Sequence, residues 1–246
     1  MSLHDLTSQR LFVEADLLAG ASLDATDEQF NYLVRVLRMG TGDAVLVFNG
    51  RDGEWRATLS SAGKRSCALL IEAQVRTQMS GPDITYMFAP LKRARLDYMV
   101  QKAVELGVRR LVPVLTRRTV AERVNFDRLR ANVIEAAEQC GILYVAEIAP
   151  LTKLDRHLSE WDAPRRLIFC DEVAPVADPI AALAPLRGQP VAVLIGPEGG
   201  FDDYERDLVR TFPLATAISL GPRILRADTA AIAALTLVNA TIGDWR

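Results

Sequence analysis

Beyond the first third of the chain, short apolar runs alternate with stretches whose apolar positions recur every three or four residues. Runs at 84–89, 110–115, 167–170, 191–195 and 214–218 read as buried strands. Between the first two, 93–106 places apolar residues at Leu96, Met99, Val100, Ala103 and Val104. Residues 127–140 repeat the stripe at Leu129, Val133, Ala136, Ala137 and Cys140. Both spacings predict amphipathic helices, and Gly107 suits the C-cap of the first. Asp202 with Glu205 forms a capping box for a helix that starts after Phe201. A last helix, 227–242, is rich in alanine, which fits a closely packed or dimeric face and equally fits high helix propensity. Alternation of this kind predicts an α/β fold with a mostly parallel sheet.

The first 75 residues follow another rhythm. One helical stripe at 27–37 carries Phe30, Leu33, Val34 and Leu37. After a turn at 39–43 come short strands at 44–49, 54–59 and 67–73, the first two joined through Arg51-Asp52-Gly53. This predicts a small β-barrel over 1–75 and a larger domain over 76–246, with the joint near 78–82.

Composition narrows the class without naming a chemistry. Of 246 residues, 50% are hydrophobic and 24% charged, enough for a sizeable core. No apolar stretch is long enough to span a membrane, and the N-terminus lacks a secretory pattern. Cys67, Cys140 and Cys170 show no paired spacing and fit reduced thiols of a cytoplasmic protein. His4 and His157 stand alone, so no metal site is expected. The net charge of −2 argues against nucleic acid, but residues 92–130 hold 11 Lys/Arg against 4 Asp/Glu. A basic patch of that kind fits phosphate contacts as well as a solvated surface.

Two turns stand out. Ile195-Gly196-Pro197-Glu198-Gly199-Gly200 follows one strand, and Leu220-Gly221-Pro222-Arg223-Ile224-Leu225-Arg226-Ala227-Asp228-Thr229-Ala230 follows another. Glycine lets a backbone approach a ligand, and proline fixes the bend. In open parallel sheets, ligands bind beyond the carboxyl ends of the strands. The pair predicts one pocket built from adjacent loops. Neither the phosphate loop of nucleoside triphosphatases nor a dinucleotide fingerprint is present.

These turns, with Arg10-Leu11-Phe12-Val13, the 34–40 segment, Lys92, the 101–108 segment and Glu138-Gln139-Cys140-Gly141, resemble the bacterial small-subunit rRNA uridine-N3 methyltransferases of the SPOUT superfamily. The resemblance runs nearly end to end. It implies a PUA-like RNA-binding barrel followed by a trefoil-knotted methyltransferase domain. It further implies S-adenosylmethionine as cofactor, a homodimer, and one uridine of 16S rRNA in the small ribosomal subunit as substrate. The implied donor site is Leu194, Ile195, Gly196, Pro197, Gly200, Ser219, Leu220, Gly221, Ile224, Leu225, Arg226 and Thr229, with Asp171-Glu172 as a third wall. Arg10, Arg35, Arg38, Lys92 and Arg118 are the expected RNA contacts.

Uracil N3 carries a proton, so the site needs an acceptor for it and a cation for the charge left behind. Arg226 stays protonated and suits the second role. Asp228 and Glu198 are both candidates for the first, although an acid in a helix's first turn or in a turn also has structural reasons to be there. The chain departs from the family pattern at Arg93, Ile142 and Ala146, where relatives usually carry glycine, arginine and proline. Two other functions stay open at this point: a knotted methyltransferase of another RNA base or ribose 2′-oxygen, and an RNA-binding assembly factor without catalysis.

Overall fold

The computed structural model describes residues 9–121, 123–161, 164–174 and 178–245, so His4 lies outside the described residues. The chain divides into two compact units. The first runs to Ser80 and takes in Ala137–Val145; the second comprises Gly81–Ala136 and the chain from Ala146 onward.

The first unit contains β1 (Arg10–Phe12), β2 (Ser22–Asp24), α1 (Asp27–Phe30), β3 (Ala44–Phe48), β4 (Glu54–Ala62) and β5 (Cys67–Arg76). They form one sheet in the order β1-β3-β4-β5-β2, antiparallel except for the β1–β3 pair. Three register shifts along β4–β5 bend these long strands, as bulges do. The alternating inward residues Val45, Val47, Ala57, Leu59, Leu69 and Ile71 meet Phe30 and Leu33 in one core.

The expected helix at 27–37 starts with a full capping box, Thr26 with Gln29, but only its first turn is α. Residues Asn31–Val36 are π-helical, and the Leu37 amide donates to Tyr32 O at 2.9 Å. The wider turn still buries Leu33 and leaves Arg35 and Arg38 exposed. Arg38 holds a left-handed backbone, φ 58°, unusual for a side chain of its size.

Arg10 corrects an expectation. It is not a surface contact for phosphate, because its side chain is only 4% exposed and its Nε donates to Glu54 Oε1 at 2.9 Å. Glu54, 3% exposed, also faces Arg76, whose Nε lies 2.9 Å from Oε2 as an ion-pair contact. Arg76 Nη2 donates to Gly141 O at 2.7 Å, which ties the 137–145 segment to the same cluster. Gly141 has φ 64°, and a side chain there would crowd Arg10, since an added Cβ would stand 3.3 Å from its Nε.

The second unit contains β6 (Ile84–Phe88), α2 (Arg93–Glu105), β7 (Arg110–Leu115), α3 (Phe126–Cys140) as far as Ala136, β8 (Glu147–Ile148), β9 (Thr152–Lys153), α4 (Leu154–Ser159), β10 (Arg166–Cys170), α5 (Pro179–Leu183), β11 (Val191–Ile195), α6 (Asp203–Arg210), β12 (Ala215–Ile218) and α7 (Ala227–Thr241). The sheet order is β12-β10-β11-β6-β7-β8, with β9 on β7, and every pairing is parallel. β6 and β11 are buried along their whole length, which explains why they read as unbroken apolar runs rather than as alternation. α7 packs on α2 and α5, and Ala227, Ala231 and Ala234 are the alanines buried on it. No helix among the described residues is long and apolar enough to cross a membrane.

The Arg10–Glu54–Arg76 cluster gives a direct test. Glu54→Ala leaves two guanidiniums without their shared carboxylate and is expected to cost about 3–5 kcal/mol. Urea unfolding followed by circular dichroism reads this as a lower midpoint at unchanged slope; an unmoved midpoint would show that the cluster carries no stability.

Candidate functional site

In the register of the parallel sheet, Phe169 pairs with Leu194 on one side and with Ala217 on the other. β10, β11 and β12 therefore end level with one another. The chain leaving each end lines a single cavity of about 410 Å³: Cys170–Glu172 from β10, Ile195–Gly200 from β11, and Ser219–Gly221 with Arg223–Ala227 after β12. Ala230 of α7 completes it.

The first turn is shaped by what glycine leaves out. An added Cβ at Gly196 would stand 2.5 Å from the ring of Phe201, which is buried edge-on against Phe169 at 5.1 Å. Gly200 has φ 68°, and its amide donates to Pro197 O at 2.9 Å to close the bend. Behind the turn, Asp202 and Glu205 form the expected capping box of α6. The Glu205 amide holds the Asp202 carboxyl below its ordinary pKa. Buried Glu205 also accepts the Arg117 amide at 2.7 Å, which fixes the β7–α3 connection to α6. The next residue, Arg118, donates from Nη1 to Gly199 O at 2.9 Å. Arg95 of α2 pairs with Glu198. Arginines from two separate elements thus grip the turn.

The second turn is held more lightly. Gly221 takes φ 104°, and its amide donates to the buried Ser219 Oγ at 3.3 Å. Ile224 is 92% exposed although it lines the cavity. Arg226 is the extended N-cap residue of α7, and its side chain is 62% exposed. Its Nε stands 4.0 Å from Asp228 Oδ1, which accepts the Thr229 amide at 2.9 Å.

The third wall is acidic but neutralised. Asp171 is wholly buried; it accepts from Arg206 Nε at 3.2 Å and from Arg210 Nη2 at 2.6 Å. Glu172 accepts from Arg206 Nη2 at 2.9 Å. Burial pushes the neighbouring Cys170 thiol up to about 12, so it is no nucleophile at neutral pH. No group of three or more His, Cys, Asp or Glu suited to a metal ion occurs among the described residues.

Of the residues expected at a donor site, Ile195, Gly196, Pro197, Gly200, Ser219, Leu220, Gly221, Ile224, Leu225 and Arg226 line this cavity, as does Glu198. Leu194 does not; its side chain belongs to the core beneath the sheet. Thr229 and Asp228 lie on the first turn of α7, outside the lining. Arg35, Arg38, Lys92 and Arg118 are exposed. The arginines of α6 were not singled out in the sequence, although their spacing of four, on a helix leaving the first turn, is a signal that could have found them.

Comparison with known proteins places this geometry. A family model for an RNA methyltransferase domain matches residues 79–239, and one for an RNA methyltransferase PUA domain matches 25–72. A Rickettsia conorii protein named ribosomal RNA small subunit methyltransferase E is 29% identical over 232 residues, 94% of each chain. The crystal structure of a Neisseria gonorrhoeae protein of the same name, bound to S-adenosyl methionine, is similar at a TM-score of 0.86 and 26% identity, covering 97% of this chain and 100% of that one. A Legionella pneumophila protein described as a methyltransferase, in complex with SAM, is similar at a TM-score of 0.86 and 29% identity, covering 96% and 99%. With its larger unit spanned by the first of these models, the chain belongs to the RNA methyltransferase domain family.

Proposed function

We propose that this protein moves a methyl group from S-adenosylmethionine to N3 of one uridine in the 16S rRNA of the small ribosomal subunit. The observation that carries the reading is the cavity formed where the two glycine–proline turns meet. Its volume of about 410 Å³ falls in the range of cofactor-sized sites. The walls suit that donor. Ile195, Leu220 and Leu225 are apolar, the glycine turns bring backbone N–H and C=O groups to the surface, and the two carboxylates on the β10 side, Asp171 and Glu172, are both paired with arginine. When bound, the donor supplies an electrophilic methyl carbon on a sulfonium, so the transfer requires no metal.

The remaining tasks fall to this chain's own groups. The turns hold one partner so that the acceptor nitrogen can be brought into line. Arg226, exposed at the mouth of the cavity, faces the negative charge that develops on the uracil carbonyl oxygens. Asp228, close behind it, takes the N3 proton. Glu198 is the second candidate; its carboxylate is already engaged by Arg95. Arg35 and Arg38 in the smaller unit, and Lys92 and Arg118 in the larger, contact RNA phosphates, which positions the substrate without reading its sequence. The strand order with β10 between β11 and β12, followed by α7, supports the knotted form of the sheet. A cytoplasmic homodimer is part of the same reading.

Three outcomes follow. Purified protein should methylate N3 of a single uridine, and mass mapping of 16S rRNA from a strain lacking the gene should show that mark missing; comparison of naked rRNA with purified small subunits identifies the true acceptor. Methylation only at a ribose oxygen would replace this reading by a 2′-O one, and no donor binding at all would favour a non-catalytic RNA-binding factor. Gly221→Val, which places a branched side chain at φ 104° inside the cavity, should weaken S-adenosylmethionine binding at least about tenfold by calorimetry. Asp228→Asn should lower the rate constant for transfer by about 100-fold or more and leave donor affinity within twofold; wild-type turnover across the pH range would remove Asp228 from the chemistry.

A further inference from the structure

Glu172 and Arg206 have no task in the chemistry above, yet they form an ion pair on the cavity wall. Arg206 and Arg210 sit four residues apart, so one face of α6 carries both guanidiniums. From these two and the Val173 amide, the last at 3.1 Å, Asp171 accepts three hydrogen bonds, two on Oδ1 and one on Oδ2. Its side chain is wholly buried beneath them, out of a ligand's reach.

Glu172 differs. Arg206 Nη2 occupies its Oε1 at 2.9 Å, but Oε2 has no hydrogen-bond partner among the described residues. The side chain is 42% exposed and lines the cavity. Gly200 makes this position possible, since a Cβ there would stand 2.6 Å from Oε1. Arg206 itself is only 13% exposed, held by Asp171 and Glu172, with Asp203 at 3.5 Å as a third partner. The result is a carboxylate on the cavity lining with one oxygen fixed by Arg206 and the other left to accept.

A carboxylate already neutralised by a guanidinium exerts little field on a distant cation. It keeps its lone pairs for short, charge-assisted bonds from hydroxyl groups. The hydroxyl-bearing part of a sulfonium nucleoside is its ribose. We infer that Glu172 accepts hydrogen bonds from the ribose hydroxyls of the methyl donor, and that Arg206 is the positioning residue that sets Glu172 for this contact. The inference rests on the donor assigned under the proposed function.

The test is calorimetry with S-adenosylhomocysteine and with its 2′-deoxy and 3′-deoxy analogues. Wild-type protein should bind the ribosyl form about tenfold or more tightly than at least one deoxy form. Glu172→Ala should lose that factor for the ribosyl form and bind the deoxy form as the wild type does. Glu172→Gln, which keeps the volume and one accepting oxygen, should fall between. Arg206→Ala should reduce the discrimination, and Arg206→Lys should restore part of it, a graded response that simple loss of fold would not give. Equal weakening of ribosyl and deoxy ligands by Glu172→Ala, or full retention of discrimination, would overturn the contact while leaving the donor assignment intact. Absence of binding by wild-type protein to any of these ligands or to S-adenosylmethionine would overturn both.

Discussion

Level parallel pairing of β10 with β11 and β12 is the constraint on which the site depends. Parallel neighbours cannot be joined by a hairpin, so each strand must hand the chain to a crossover at its carboxyl end. Three such exits side by side leave backbone groups that no ladder uses. The register, Cys170 opposite Ile218 and Phe169 opposite Leu194, brings the three exits to the same height. A slip of one residue would turn Cys170 and Ile195 to the other face and open the cavity floor. Full burial of β6 and β11, with β10 buried from Leu167 to Cys170, makes such a slip costly, because every side chain along them already has packed neighbours.

Arginine does much of the remaining shaping. Arg95, Arg118 and Arg206 come from α2, the β7–α3 connection and α6, and each ends on a residue of the cavity wall. A buried carboxylate such as Asp171 would be expensive if left alone, and its two guanidiniums remove that cost without adding much net stability. What they supply is position. The planar fork of Arg206 reaches two carboxylates in successive residues, a geometry that the point charge of a lysine would not reproduce.

Much of this architecture was legible from period and punctuation. The strands at 110–115 and 191–195 are found where the apolar runs predict them, and the helix after Asp202 starts on its capping box. The cavity-lining turns announced themselves through glycine and proline placed directly after buried strands. What stayed hidden depended on partners far along the chain. Arg10 reads as a surface cation because Glu54 lies 44 residues away, and only the fold brings the two together. β1 and β2 are three residues long, too short for a period, and β1 pairs in parallel with a strand that begins 34 residues after its own start. The return of 137–145 to the smaller unit is tied by Arg76 to Gly141 O, Gln78 to Leu143 O and the Phe12 amide to Glu138, partners too far along the chain for any local pattern. The π-helical turn after Phe30 shares its apolar stripe with an ordinary helix, so periodicity could not separate them.

The two sides of the cavity are built for different demands. On the β10 and β11 side, Asp171 is buried under two arginines and the Gly196–Gly200 turn is pinned by a packed ring and two further arginines. A small ligand gains most from such a surface, because little ordering is left to be done when it binds. On the β12 side, Ile224 is almost fully exposed, and Arg223 and Arg226 project from a turn with few internal bonds. An exposed isoleucine between two exposed arginines leaves this side apolar and positively charged at its surface. Rigid enclosure on one side and open, basic surface on the other match a small donor and a macromolecular acceptor meeting across one wall.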